Sequence, residues 1–415
     1  MICCKNMLKH LWVVLLLLAV ACSKTPRQES FPIVSIYGPD KDMIHRQAFE
    51  QLRNAGFNIN LSNFNDPKLN LKALDVANQV GVKLILVDRR IEAVRAGKDS
   101  SFAQLDSVVA DYASHPAFWG YFIQDEPGAG DFEKLAVIKR YLARKDSLHP
   151  VYINLFPTYA TKAQLGTESY QEYVRRFISI VEPDFLSFDH YPILKYGIRE
   201  DYYQNLEIVR REALANNLNF WAFTLSVPHG PYPMPEHSHI RLQLYSALAY
   251  GARGLQYFTY TTPKIKNWDF RDAIINSDGE PTATYQYAMR INAEIRKLAP
   301  VLLRLKSTGV YHSLPVPQGC SALVPHLPVV KIEGRNILAG FFADEDNKKY
   351  LMLVNKNYLH GAMPRIHFAD SVKKIIEIPR DRNAPLKISW PDSQSDKNTA
   401  ILFKAGDGRL FRIVD

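Results

Sequence analysis

Cysteine is scarce in this sequence: only Cys3, Cys4, Cys22 and Cys320 occur in 415 residues. Three of them fall within the first 22 residues. A chain trimmed there keeps Cys320 alone, which excludes an intrachain disulfide and a Cys-based metal site. Stability must then come from a large apolar core, and a 47% hydrophobic content can supply one. Glycine (20) and proline (25) are too few, beside 22% charged residues, for a collagen-like, low-complexity or disordered chain. The formal charge of +9 is spread out, with no block of five or six like charges, so nucleic acid is not implied. Only one long apolar run exists, at the N-terminus, which excludes a multi-span membrane topology. No GxGxxG or GxxxxGK[ST] follows the first β-like run, which weighs against a nucleotide-binding open sheet.

What is present begins with a leader. Lys5 and Lys9 precede the eleven-residue apolar run Leu11–Ala21, which ends at Cys22. A basic start, a short apolar stretch and small residues before a cut describe a secretory signal, too short to span as a helix. Leu18-Ala19-Val20-Ala21-Cys22 resembles a bacterial lipobox, with Ala19 where Leu is commoner. Residues 1–21 are therefore expected to be removed and Cys22 to be acylated. Polar residues 22–30 would form a tether. The expected location is the outside of a bacterial membrane, periplasmic or cell-surface, with the lipid as the only membrane contact.

From Phe31 onward, β-branched or aromatic runs alternate with amphipathic helical patterns. The runs start near Pro32, Phe57, Val82, Ala117, Pro150, Pro183, Asn219 and Ala252, at spacings of 25 to 36 residues. Helical patterns lie between them, as at Met43–Asn54, Leu71–Val80, Phe132–Arg144, Tyr170–Ile180, Leu206–Ala215 and Arg241–Tyr250, and Ala283–Leu305 closes the series. Strict βα alternation implies a parallel sheet covered by helices. Eight units in this length predict an α/β fold of the (β/α)8 TIM barrel type over residues 31–306. Residues 307–415 carry short runs such as Asn336–Ala343 and Lys349–Val354 with turns between them and no helical period. They predict a small antiparallel β-sandwich acting as an accessory domain.

In such a barrel, chemistry sits at the C-terminal ends of the strands. Those ends offer Asp88 after strand three, Gln124, Asp125 and Glu126 after four, and Asn154 after five. Asp189, His190 and Tyr191 follow strand six, and Tyr260 follows strand eight. Ser187, Asp189 and Tyr191 share one parity on strand six, giving a polar face where both faces should be buried. Strand four ends in two adjacent carboxylates and a proline (GYFIQDEP). Like charges there disfavour double ionisation, so one of the pair should titrate high, as a general acid at neutral pH must. A helix-start acid pair serving the next helix dipole is the plainer explanation. His237, His239 and His229 suggest zinc only weakly, because a third ligand cannot be located. Ser226 lacks the Gly-x-Ser-x-Gly elbow of a nucleophilic triad. Trp119 and Trp221 lie early in their strands and are read as core, whereas Trp268, in the loop after strand eight, suits a sugar platform.

At this point the chain resembles the clan A glycoside hydrolases, (β/α)8 enzymes whose strand four ends in Asn-Glu-Pro. There the Glu is the acid/base and the Asn binds the sugar 2-hydroxyl. Glu126 matches the acid/base position, and Asp125 stands in place of the Asn. Ser187–Pro192 (SFDHYP) resembles the strand-six motif ending in Tyr-Pro. Leu244–Tyr260 is similar to the corresponding stretch of family 42-like barrels, and Gly279-Glu280-Pro281-Thr282 adds to the likeness. The resemblance spans roughly residues 32–305 and implies hydrolysis of O-glycosidic bonds in an oligo- or polysaccharide, with no cofactor and no metal.

It also departs from the family, whose retaining members take a nucleophilic Glu from the end of strand seven. Here strand seven (NFWAFTLSVP) has no carboxylate. Candidates for the second carboxyl are Asp189, Asp88, Glu236 and Glu280. Asp189 is favoured for its polar same-face neighbours, although it could equally orient Tyr191 or His190. The expected catalytic residues are thus Glu126 and Asp189. Asp125, Gln124, Asn154, Tyr191, Tyr260, Trp268 and Asp88 are the expected substrate contacts. The rival expectation, from the missing strand-seven acid, is an inactive carbohydrate-binding lipoprotein on the same barrel. A metal hydrolase is a third.

Overall fold

The computed structural model describes residues 30–98, 102–324, 327–381, 383–391, 394 and 396–415. The leader, Cys22 and residues 23–29 of the expected tether lie outside the described residues. Among the described residues no helix is long and apolar enough to cross a membrane.

Eight strands form the first sheet: β1 (Ile33–Ile36), β2 (Ile59–Asn65), β3 (Lys83–Asp88), β4 (Phe118–Asp125), β5 (Val151–Asn154), β6 (Leu186–Phe188), β7 (Phe220–Leu225) and β8 (Gly254–Phe258). Helices α1 (Arg46–Asn54), α2 (Pro67–Val80), α3 (Arg89–Arg95), α4 (Ala103–Tyr112), α5 (Phe132–Lys145), α6 (Lys162–Leu165), α7 (Tyr170–Val181), α8 (Tyr202–Ala215), α9 (His237–Tyr250) and α10 (Ala283–Leu302) fall between or after them. The strand order is β5-β4-β3-β2-β1-β8-β7-β6, all parallel. Leu155 closes the ring, donating its N–H to the Ser187 carbonyl at 2.8 Å and bridging to Phe188 in parallel. The fold is a (β/α)8 TIM barrel followed by a β-sandwich.

Local sequence sets the punctuation. Asp66 accepts hydrogen bonds from the N–H groups of Lys68 and Leu69, Pro67 fills the first turn, and Gly81 ends α2 in the left-handed conformation. Strand alternation then sorts side chains into two cores. Val34, Ile36, Ile59, Leu61, Ile85, Trp221 and Phe223 fill the lumen, while Ile33, Leu84, Phe118, Tyr121, Ile153 and Leu255 pack under the helices. The lower lumen is plugged by rings: Trp119 on Trp221 (5.1 Å between centroids), Trp221 on Phe185 (4.3 Å) and Phe185 on Tyr152 (5.6 Å). Gly254 pairs with Trp221, and a Cβ there would come within 2.5 Å of the indole, so only glycine leaves room for the plug.

The C-terminal strands are β9 (Lys306–His312), β10 (Val329–Glu333), β11 (Ile337–Ala343), β12 (Lys349–Asn355), β13 (Arg365–Phe368), β14 (Lys374–Glu377), β15 (Lys387–Ser389), β16 (Lys397–Ala400) and β17 (Gly408–Val414). Six form one sheet in the order β9-β11-β12-β17-β14-β15, and β10-β13-β16 form the other. The run NILAGFFA is apolar throughout because both faces of β11 are covered. Ile337, Ala339 and Phe341 enter the sandwich core, and Leu338 and Phe342 join the barrel core. Helix α9 lies between them, buried from His239 to Tyr250. Gly340 lets β11 close onto it, since a Cβ would sit 2.1 Å from the Ala249 carbonyl oxygen. Arg380 rivets the contact, forking onto Asp407 at 2.7 and 3.0 Å and donating to the Tyr245 hydroxyl at 3.1 Å. Phe31–Asp415 is one compact unit.

Candidate active site

The site begins with the way β4 ends. A bulge at Ile123 shifts the pairing with β5, so that Phe122 opposes Tyr152 but Gln124 opposes Ile153 and Asp125 opposes Asn154. Glu126 then takes a left-handed conformation (φ 43°), although it carries a side chain and precedes proline. Its N–H donates to the Asn154 carbonyl at 2.9 Å, which holds it there. Such a conformation costs of order 1–2 kcal/mol, and strain of this kind concentrates where a side chain must be aimed.

Asn154 joins the carboxyls. Its Nδ2 donates to Asp125 Oδ1 at 3.1 Å and to Asp189 Oδ1 at 3.0 Å, and its Oδ1 accepts from Ser187 Oγ at 2.9 Å. Ser187 accepts from Gln256 Nε2 at 2.9 Å, and the Tyr152 hydroxyl donates to Gln256 Oε1 at 2.7 Å. The polar face of β6 is thus satisfied by a buried network running from β5 to β8. Asn154 is 3% exposed, so its amide cannot swing away from its partners.

Asp125, Glu126 and Asp189 therefore meet at the C-terminal mouth, and Glu126 and Asp189 are hydrogen-bonded to each other. Two carboxyls can share a hydrogen bond only when one is protonated. Burial, and then the charge of Asp125, push the Glu126 carboxyl up to about 7, against the opposing pull of its bond to Asp189. Burial, then Glu126 and Asp125, hold Asp189 well above the carboxylate range. Asp125 is raised by burial in the concave mouth, although its edge reaches solvent. Among the described residues no Lys, Arg or His forms an ion pair with any of the three. The cluster consequently holds at least one proton near neutral pH, available for transfer.

The other expected contacts divide. Tyr191 is in the mouth: its ring packs on Phe258 (5.7 Å) and Tyr232 (5.8 Å), and burial and then Asp189 raise its phenol. Gln124 donates to the Asp125 carbonyl at 3.1 Å. Trp268 is 59% exposed at the rim, stacked on Phe270 at 5.3 Å and 10°, with His229 5.8 Å away. Tyr260 is not in the mouth. It packs on Phe57 at 5.6 Å in the layer beneath the helices, because strand alternation has ended at Phe258. Asp88 is also elsewhere. It caps α3 and is held by Arg90 and Tyr112, facing α4.

The remaining acids lie apart from the cluster. Glu280 borders a cleft of about 550 Å³ lined also by Asp40, His45 and Glu50, and Glu236 begins α9. The lumen end of β7 offers Leu225 and Val227. His237 faces Tyr287 and His239 faces Tyr358, and among the described residues no three potential ligands gather for a metal. Tyr37, Tyr159, Arg199 and Tyr232 belong to the mouth and were not singled out in the sequence, nor was Tyr152 beneath it. Only Tyr152 carried a legible signal, the parity it shares with Asn154.

No family model and no curated protein matches the chain. Solved structures do. A β-galactosidase from Bacillus circulans sp. alkalophilus matches with a TM-score of 0.64 at 8% identity, over 93% of this chain and 99% of that one. A family 42 β-galactosidase from G. stearothermophilus, solved as a catalytic mutant, gives 0.61 at 8% identity, over 92% and 98%. A β-galactosidase from the Antarctic haloarchaeon Halorubrum lacusprofundi gives 0.50 at 12% identity over 64% of this chain, which spans 58% of that enzyme's length. At these identities the likeness is one of fold: the chain has the TIM barrel used by glycosidases of family 42 and others, with a β-sandwich behind it.

Proposed function

We propose that the protein is a glycoside hydrolase acting on an oligo- or polysaccharide, with Glu126 as general acid. The observation that carries this reading is the uncompensated cluster of Glu126, Asp125 and Asp189 at the barrel mouth, with Glu126 near 7. Glu126 gives its proton to the glycosidic oxygen as the bond to the anomeric carbon breaks. Asp125 accepts a hydrogen bond from a ring hydroxyl and keeps Glu126 protonated. Asp189 is the second carboxyl. It touches Glu126 without sugar, whereas the two working groups stand about 5–5.5 Å apart in retaining enzymes and about 6.5–9.5 Å apart in inverting ones. Substrate entering between them must part the pair, and parting leaves Asp189 ionised to attack or to activate water. Asn154, Tyr191 and Gln124 complete the sugar contacts and Trp268 offers a platform.

The barrel, residues 31–306, is the working body and residues 307–415 the accessory domain. The leader reads as a lipoprotein signal, with Cys22 holding the barrel through the tether outside a bacterial membrane. Labelling with radioactive palmitate that Cys22→Ala abolishes tests the anchor.

A second reading, a carbohydrate-binding protein on a glycosidase barrel, is favoured by Leu225 and Val227 at the end of β7, where retaining relatives carry their nucleophile. Sugar release from a broad glycan panel separates the two. Release that Glu126→Gln reduces by about 10²-fold or more establishes the glycosidase, and the anomer of the product assigns Asp189 as nucleophile or base. Release untouched by the substitution removes Glu126 from the mechanism. Saturable binding with no release from any glycan selects the binding protein.

A further inference from the structure

We propose that the mouth carries a recognition site for an anionic group of the glycan, a hexuronate carboxylate or a sulfate ester, built on the guanidinium of Arg199. The loop after β6 folds into a small ribbon, Ile193–Leu194 against Gly197–Ile198, which delivers Arg199 to the rim. The Arg199 N–H donates to the Pro192 carbonyl at 2.8 Å and fixes the backbone. The guanidinium lies flat on Tyr159, its carbon 4.1 Å from the ring centroid. Among the described residues its one side-chain hydrogen bond is long, from Nη2 to the Tyr232 hydroxyl at 3.4 Å, and its buried Nε has no partner.

What marks it is its place at the mouth: four other half-buried arginines fork onto carboxylates, while Arg241, which among the described residues also has a buried Nε without a partner, donates to the Ala405 carbonyl of the sandwich. Arg90 forks onto Asp88, Arg210 onto Glu207, Arg380 onto Asp407 and Arg409 onto Glu377. Among the described residues no carboxylate forms an ion pair with Arg199. The nearby Asp201 is committed to the Thr158 hydroxyl (2.6 Å) and to His190 (3.3 Å). A partly desolvated guanidinium with its face stacked, its edge holding one long bond to Tyr232 and, among the described residues, only the Asp201 charge nearby, suits a planar, bidentate anion. Its place is at the reacting end. Tyr159, the ring beneath it, packs edge-on against His190, the residue after Asp189, at 5.0 Å and feels the charge of Asp189, which puts the cation on the acid cluster's side of the mouth.

The choice of a glycan as bearer of the anion rests on the glycosidase reading, but the test needs no turnover. Full-length protein carrying Glu126→Gln is titrated calorimetrically in detergent with oligogalacturonates and oligoglucuronates, and with their carboxyl-reduced neutral counterparts. Sulfated oligosaccharides and their desulfated forms make the second arm. One anionic series is expected to bind about 10-fold or more tighter than its neutral partner, as charge-assisted hydrogen bonds allow. That preference should weaken with added salt and vanish in Arg199→Met, which keeps the apolar stem on Tyr159. Arg199→Lys, which keeps the charge and loses the fork, should retain part of it, and carries the test if the Met variant fails to fold.

Equal or tighter binding of the neutral forms overturns the proposal. So does a preference that survives Arg199→Met, or no measurable binding of any series. Neutral-glycan release that requires Glu126, with no anionic preference, sinks this inference and leaves the glycosidase standing. An Arg199-dependent preference with no turnover of any glycan by the unsubstituted protein does the reverse.

Discussion

One buried acid and one cluster of acids sit at strand ends of the same barrel, and they titrate in opposite directions. Asp88, at the end of β3, accepts from Arg90 Nε and Nη2 (3.0 and 2.9 Å), from the Arg90 backbone N–H (2.8 Å) and from the Tyr112 hydroxyl (2.5 Å). Burial works against its ionised form, but the bonds from Arg90 and Tyr112 outweigh it and the carboxyl lies below the ordinary range. Asp125 and Asp189 share the Asn154 amide, and no ion pair to a cation joins the cluster among the described residues; burial raises all three, and the neighbouring carboxyls add to the rise of Glu126 and Asp189. Burial alone does not tell a structural acid from a working one. The distinction lies in whether the surrounding structure supplies the counter-charge or leaves it to be supplied by chemistry.

The comparison breaks first at Glu126→Gln. Hydrolysis should fall by about 10²–10⁴-fold, the usual contribution of a positioned general acid. Stability should hold or rise, because a neutral amide relieves the repulsion without opening a cavity. A large fall in the unfolding midpoint would mean that the cluster is structural. Asp88→Asn should do the opposite. Breaking a buried pair costs about 3–5 kcal/mol, and the lower end applies because Arg90 keeps Asp111 at 2.7 Å. Urea unfolding should show that loss, while activity per folded molecule stays the same. Equal loss of activity would return Asp88 to the mouth.

The same comparison shows why the sequence misled at some positions. The barrel was legible because its signals are local: eight β-branched runs, caps such as Asp66 with Pro67, and Gly81 as a stop. The acid pair after β4 and the parity of Ser187 with Asp189 were legible for the same reason. Asp88 read as a polar strand end, but the carboxylate turns outward to cap α3 and takes its cation from Arg90, two residues away. Tyr260 was expected in the mouth because it follows strand eight, but that strand stops at Phe258 and the ring turns under the helices. Tyr159, Arg199 and Tyr232 come from three loops and meet only when the ring closes, so no spacing along the chain could announce them. Nor could spacing reveal that Asn154 ties Asp125 to Asp189.

Acid titration sharpens the contrast, because the two groups drive stability in opposite senses. Glu126 is raised from the ordinary carboxyl value of 4.5 to about 7. In that interval the folded state binds more protons than the unfolded one. The stability associated with the neutral carboxyl is therefore present below pH 4.5 and lost as pH rises towards 7. Asp88 is lowered from 3.8, so its contribution is present above that value and lost as pH falls below it. Thermal midpoints across pH 4.5–7 should decline less in Glu126→Gln than in the unsubstituted protein. Identical profiles would mean that Glu126 does not titrate there. Activity should carry the matching signature, an alkaline limb near pH 7 as Glu126 loses the proton it must donate.

The smallest effect belongs to the rim. Trp268 is exposed and, among the described residues, its ring contacts are Phe270 and His229, so Trp268→Ala should change stability by no more than about 0.5 kcal/mol, as surface substitutions usually do. A platform that holds substrate and transition state alike contributes uniform binding, so its loss raises KM and leaves kcat unchanged. An increase of about 3–10-fold in KM is expected, in keeping with the roughly 0.5–1.5 kcal/mol of an aromatic contact. A fall in kcat instead would place Trp268 in contact with the ring being cleaved, joining the rim to the acid cluster as one catalytic surface. Unchanged kcat and KM would mean that sugar reaches the acid cluster without crossing Trp268.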